Sequence, residues 1–256
     1  MTTPVKFELR RDTINNWNTN NPVLLFGEPG FDSTNNQIRI GDGSSNWQGL
    51  NQLDVKTNSA IAIGGLAGNT GQQNEAISIG SGAGSSNQQN DAIAIGALAG
   101  ASEQQLYGIS IGYGAGQYNQ QDSSIAIGNE AGNTGQQLNA IALGFGSGNT
   151  DQSASAIAIG DQAGQSSQGS KSVAIGFSAG FSGQGLSCIA IGDSAGNINQ
   201  GNSSIAIGQN SAANSQSRSS VAIGSSAGRN SQLDSSIAIG AGAGQNSQGM
   251  FAVALG

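Results

Sequence analysis

Twelve glutamines recur at an interval of sixteen residues: Gln72, Gln88, Gln104, Gln120, Gln136, Gln152, Gln168, Gln184, Gln200, Gln216, Gln232 and Gln248. A carboxamide column at fixed spacing suits one kind of chemistry. Each amide donates to one neighbour and accepts from the other, which builds a structural ladder rather than a ligand site. Three aromatics, Tyr113, Phe145 and Phe177, share another position of the same period and fall on every second unit. Neighbouring rings of this kind stack on sugars, which makes them a candidate glycan contact. Catalytic chemistry has less to work with. The chain has no His, which removes imidazole acid–base catalysis, Ser-His-Asp triads and His metal ligation. The single Cys188 cannot form an intrachain disulfide, and there is no Cys cluster for zinc. Asp161 and Asp193 share a repeat position with Glu130 beside it, but these make no oxygen cage of the calcium type. Paired carboxylates for glycoside hydrolysis lack an evident cleft and substrate-shaping aromatics. Gly41-Asp42-Gly43 lacks the Lys and the following helix of a phosphate loop. The expectation is a non-enzyme with no cofactor and no metal.

The elements that must position these residues follow from the repeat itself. A sixteen-residue unit runs without a slip from Ala60, and its fifth residue is Gly at every turn from Gly64 to Gly256. Such register means one coil stacked on copies of itself. Counting from Ala60, position 2 is Ile or Val and position 4 is Ile or Leu, while positions 1 and 3 are Ala, Ser, Gly or Cys. That alternation predicts a strand with branched residues on one face and small ones on the other. The invariant Gly at position 5 predicts a backbone angle or a close approach that excludes Cβ. The expected architecture is mainly β: a parallel β-solenoid or β-roll of twelve complete units and a partial one, over residues 56–256. Stacked at strand spacing, twelve coils give a rod of about 58 Å. Positions 2 and 4 are expected to form two aliphatic ladders inside the coil, with the small residues outside. So thin a coil buries little, and the small face would let another chain approach, which predicts parallel association of three chains.

Composition narrows the partners. Charged residues are 9% of 256, the net charge is −7, and the repeats hold only Lys171, Arg218 and Arg229 as basic residues. This speaks against nucleic-acid binding. No apolar run approaches the length of a membrane span, and Met1–Lys6 lacks the apolar stretch of a signal peptide. Synthesis in a cytoplasm followed by assembly is the expectation. Phe251–Gly256 opens a thirteenth unit. An uncovered last strand would be an open edge, to be covered by another chain, continued in a longer one, or used as a contact surface.

The first 55 residues obey different rules. All three prolines (Pro4, Pro22, Pro29) and both tryptophans (Trp17, Trp47) lie before residue 50. The pattern predicts strands at 6–10, 22–26 and 37–40, a helix near 13–20, and a turn at Glu28-Pro29-Gly30. Trp17 and Trp47 are expected to supply much of a small core, and Arg10 or Arg11 to pair with Glu28 or Asp42. The series Phe7 to Thr13, Trp17, Asn21 to Leu24, Gly27 to Phe31, Ile38 to Gly43, and Trp47 to Leu50 resembles, in order, the N-terminal domain of the phage major tropism determinant. That domain opens many phage and virus fibre proteins. The resemblance implies an α+β virion-attachment and capping domain at residues 1–55. It also implies a trimeric virion protein, with other virion proteins as partners at this end and no enzymatic residues. The Ala-Ile-Ala-Ile-Gly phrase resembles the head repeats of trimeric autotransporter adhesins, which are left-handed parallel β-roll trimers of slightly shorter period.

These resemblances imply a homotrimeric phage tail-fibre shaft, located in the virion and made in the host cytoplasm. It would project from the particle, take part in host attachment, and meet a host glycan or protein at its far end. A head fibre or decoration protein is the alternative within the class. A surface-binding solenoid, either an adhesin head or an ice-binding module, is the alternative outside it. Ice binding favours ranks of Thr, and the repeats hold only Thr70, Thr134 and Thr150.

Overall fold

The computed structural model describes residues 10–35, 37–50, 52–55 and 60–256. The N-terminal region comprises β1 (Arg10–Asp12), α1 (Ile14–Asn20), β2 (Pro29–Asp32), β3 (Gln37–Ile40) and β4 (Gln52–Val55). Helix α1 starts where Thr13 Oγ1 accepts the Asn16 N–H at 3.4 Å, and stops at Asn21 in the left-handed region. Trp17 and Trp47 stack with ring centroids 4.0 Å apart and 12° between planes. With Leu24 and Leu50 they form this region's core. Gly30 lies against them, and a Cβ there would come within 2.8 Å of the Trp47 ring. Arg39 lies over Trp47 and donates to the Trp47 and Leu50 carbonyls at 2.6 and 3.1 Å. Arg10 pairs with Glu28 at 3.6 Å. Asp42 instead caps its own turn. The hydroxyl and N–H of Ser45, then the N–H of Ser44, hold its carboxyl well below the ordinary carboxylate range.

Two local expectations need correction. No strand forms over 22–26; Val23 makes only an isolated bridge to Asn46. The turn sits earlier than Glu28–Gly30, over Leu25–Glu28, closed by Glu28 N–H to Leu25 O at 2.9 Å with Gly27 at φ 77. Pro29 then opens β2, a place where a missing N–H is tolerated. The expected strand at 6–10 lies outside the described residues except for Arg10, where β1 begins.

The two regions share one 17-stranded sheet. β4 pairs antiparallel with β3 and, on its other edge, with β5 (Ile61–Ile63), the first strand of the shaft. The end of the solenoid is therefore covered by a hydrogen-bonded strand. From β5 onward every pairing on this face is parallel and in register, from Ile61↔Ile77 to Ile237↔Val253. The second face of the coil carries three-residue parallel strands ending on the glutamines, such as Ser102–Gln104 beside Tyr118–Gln120, and in other coils only single bridges such as Thr134↔Thr150.

The coil is the reverse of the expected one. Its interior is alanine: Ala126, Ala142, Ala158, Ala174, Ala190, Ala206, Ala222 and Ala238 at position 3 are fully buried, as are Ala115, Ala131, Ala163, Ala179, Ala195 and Ala227 at position 8. The position 2 and 4 aliphatics point outward and are half-buried or exposed, as in Ile125, Ile127, Ile157 and Ile159. The cause is the width of the coil. A three-residue strand on one face, and a strand of that length or a single bridge on the other, bring the faces so close that the Ala methyls of positions 3 and 8 pack directly on one another. No lumen remains for a branched side chain, and close packing forbids forcing one in. The small residues expected to receive another chain are therefore consumed within their own coil.

Gly at position 5 is required twice over. Gly128 has φ 132, and a Cβ on it would lie 2.5 Å from the Gly144 carbonyl oxygen of the next coil. Left-handed residues also occur at positions 7, 12 and 16, including Glu130, Glu103 and Tyr107. These corners fold the chain into its coil.

Candidate functional site

Three features of the shaft concern function: the buried amide column, the outward aliphatic face, and the corner that follows the position 5 glycine.

The glutamines at position 13 point inward and are buried. Gln88 Nε2 donates to Gln104 Oε1 at 3.0 Å, Gln104 to Gln120 at 3.0 Å, Gln120 to Gln136 at 3.1 Å, Gln136 to Gln152 at 3.1 Å and Gln152 to Gln168 at 3.0 Å. A second run joins Gln184 to Gln200, Gln216, Gln232 and Gln248. Each amide also donates to a main-chain carbonyl across the coil, as Gln120 does to Ile109 O at 2.9 Å, which ties the two faces together. Ser78 and Ser110 donate to Gln88 and Gln120 Oε1 at 2.7 Å. The column is interrupted between Gln168 and Gln184: Gln168 Nε2 keeps only its bond to Ile157 O, and Gln184 Oε1 is buried with no partner among the described residues. Gln72, at the head of the column, donates to Ile61 O, Ala76 O and Ser78 Oγ.

The outward face carries two aliphatic ladders from Ile61 and Ile63 to Val253 and Leu255. Ile61, Ile63, Leu143, Ile191, Ile223 and Ile239 are among its most exposed members. With about 58 Å of length and about 7 Å between the ladders, the stripe covers roughly 400 Å² before side-chain width is added. That reaches the size of the largest apolar patches on typical monomers. Alternation revealed that this face exists, but not that it faces out.

Tyr113, Phe145 and Phe177 occupy one corner column and are 53%, 51% and 54% exposed. Asn129 and Asp161 lie between them, and Asp193 follows; all three are exposed. Tyr107 and Tyr118 fall at other positions of the coil and do not join the column. Glu130 occupies the next position of the same corner, and no group of three or more metal-ligating side chains occurs among the described residues. Cys188 is buried in the position 1 column, with Sγ 2.9 Å from the Gly201 carbonyl oxygen.

A feature that sequence reading missed is an open groove of about 400 Å³ lined by Glu103, Gln105, Asn119, Gln121, Asp122 and Leu138. Its signal was a second glutamine column, Gln73, Gln89, Gln105, Gln121 and Gln137, which ends abruptly at Ser153. Asp122 is partly occupied there, since its Oδ1 accepts the Leu106 N–H at 3.2 Å. No helix among the described residues is long and apolar enough to cross a membrane.

Residues 8–45 match the family model of the major tropism determinant N-terminal domain. No curated protein and no solved structure matches the chain significantly. The matched domain and the sixteen-residue β-solenoid behind it are consistent with a phage tail fibre, and mark a phage tropism- or tail-fibre-related, virion-associated protein.

Proposed function

We propose that the chain is a homotrimeric tail-fibre shaft that holds a host-contacting surface away from the phage particle. The observation that carries this reading is the outward aliphatic face. Two unbroken ladders, each rung in register with the next, form a continuous apolar stripe along the whole solenoid. Burying such a stripe yields about 25 cal/mol per Å² removed from water. Three identical parallel chains with their stripes turned to a common axis bury all three at once, in a closed symmetric assembly. The alanine interior is compatible with this arrangement, since the thin coil keeps its own core and leaves the branched residues to the interface. The tropism-determinant-like domain supports placing the N-terminal end at the particle, among other virion proteins. In this reading the protein is synthesised in the host cytoplasm, and its work is mechanical rather than catalytic. Coil-to-coil hydrogen bonds and the amide column make it stiff.

The test is the absolute mass of the purified chain by light scattering behind size exclusion, followed by antibody labelling of particles. The expected result is three times the chain mass of 25.4 kDa, an elongated profile, and label at the tail. A monomer, or label confined to the head, would overturn the trimeric tail shaft.

A further inference from the structure

The corner column at position 6 stands on a fixed main chain. Glu130 N–H donates to Tyr113 O at 2.8 Å, Gly146 to Asn129 at 2.9 Å, Gln162 to Phe145 at 2.8 Å, Ser178 to Asp161 at 2.9 Å, and Ser194 to Phe177 at 2.8 Å. These rungs occupy the column's carbonyls and hold its side chains at strand spacing. Ring, amide, ring, carboxylate, ring then follow one another at about 4.8 Å, with about 9.6 Å from ring to ring. The three rings are more than half exposed. Asn129 and Asp161 make no side-chain hydrogen bond among the described residues, so their polar atoms are free for a ligand. Asp193, next in line, accepts from Ser194 Oγ at 2.8 Å.

We propose that this column binds a linear, neutral, β-linked polysaccharide laid along the shaft. In an extended β-linked chain successive sugars are turned over, so the same ring face recurs at every second residue. Aromatics on alternate coils meet that recurring face, where apolar C–H groups pack on a π surface. The sugars between them present hydroxyls to Asn129, which donates and accepts, and to Asp161, which accepts. The carboxylates and the net charge of −7 repel an anionic chain. A coiling α-linked chain does not return the same ring face at this spacing. The main-chain rungs fix the spacing of the row, so binding has only side-chain rotamers to order. The inference extends the host-attachment reading above, but its assay does not depend on assembly.

The experiment titrates the full chain with cellohexaose and fully N-acetylated chitohexaose, both neutral, in a calorimeter, with maltohexaose as the α-linked control. A β-linked hexamer is expected to bind, and Phe145→Ala to weaken it by about tenfold, the scale of one stacked ring. Phe145→Leu keeps apolar bulk without the π face and is expected to weaken it similarly. Glu103→Ala, in the separate groove, is expected to change nothing. Binding of neither β-linked hexamer, equal binding of maltohexaose, unchanged affinity in both Phe145 variants, or loss through Glu103→Ala would each overturn the proposal. A drop in assembly mass for Phe145→Ala would place the ring between copies and overturn it too, while leaving the trimeric shaft standing.

Discussion

Gln136 donates from Nε2 to Gln152 Oε1 at 3.1 Å and to the Ile125 carbonyl at 2.8 Å, so one buried amide joins successive coils and also the two faces of its own coil. Its oxygen accepts from Gln120 at 3.1 Å. The interior of this solenoid is therefore held by polar side chains as much as by apolar ones.

Gln136→Leu should be costly despite its similar size. It leaves Gln152 Oε1 without its donor, takes the column acceptor from Gln120 Nε2 and removes the side-chain bond to the Ile125 carbonyl, while the Ala140 carbonyl keeps the Ile125 N–H at 2.9 Å. Each buried group left unpaired costs about 1–3 kcal/mol. Chemical denaturation should show a lowered midpoint, and an unchanged midpoint would mean that water replaces the amide.

Ala126→Leu tests the direction of the coil. Ala126 is fully buried between Ala115, Ala131 and Ala142. Extra carbons there should cost at least about 1–3 kcal/mol. A thermal scan of the variant should show early melting; an interior that accepted Leu without loss would mean that position 3 has space.

Ile127→Asp should behave differently, because Ile127 lies on the outward, half-buried face. An inward Ile127, as the alternation suggests, would make this change ruinous to the coil. On the outer face it should cost the isolated coil only about 1 kcal/mol while disrupting association, since a charge would enter an apolar interface. Light scattering should report the chain mass in place of three times that value, with the circular dichroism of the coil retained.

Gly128→Ala joins two penalties at one site. The backbone has φ 132, and the added carbon would meet the Gly144 oxygen at 2.5 Å. Strain and overpacking together should cost about 2–5 kcal/mol. Hydrogen exchange should rise locally in the coils on either side.

Ala212 is the exception at position 9, where eleven coils have Gly, and it holds φ 45. Ala212→Gly should relieve left-handed strain and raise stability by up to about 1 kcal/mol, less what glycine adds to the freedom of the unfolded chain. A fall in melting temperature would mean that the methyl's packing outweighs its strain.

Much of this protein was determined by sequence alone. Strict recurrence of Gly64 to Gly256 and Gln72 to Gln248 dictated a stacked coil of fixed pitch, because identical units in identical register have the same neighbours at every level. Tryptophans and turn residues before residue 50 marked the separate first region, although the placement of its turn shifted because Leu25 and Glu28 close on each other. What sequence left open was direction. Alternation divides Ile125 and Ile127 from Ala126, but it is symmetric with respect to inside and outside. Only the separation of the two faces breaks that symmetry. That separation is set by left-handed corners at residues such as Tyr107, Glu130 and Lys171, whose types give no warning of such backbone angles. Tertiary structure thus decided that alanine and glutamine fill the coil while isoleucine is left for a partner, because a lumen this narrow has room for a methyl group and a flat amide and for nothing branched.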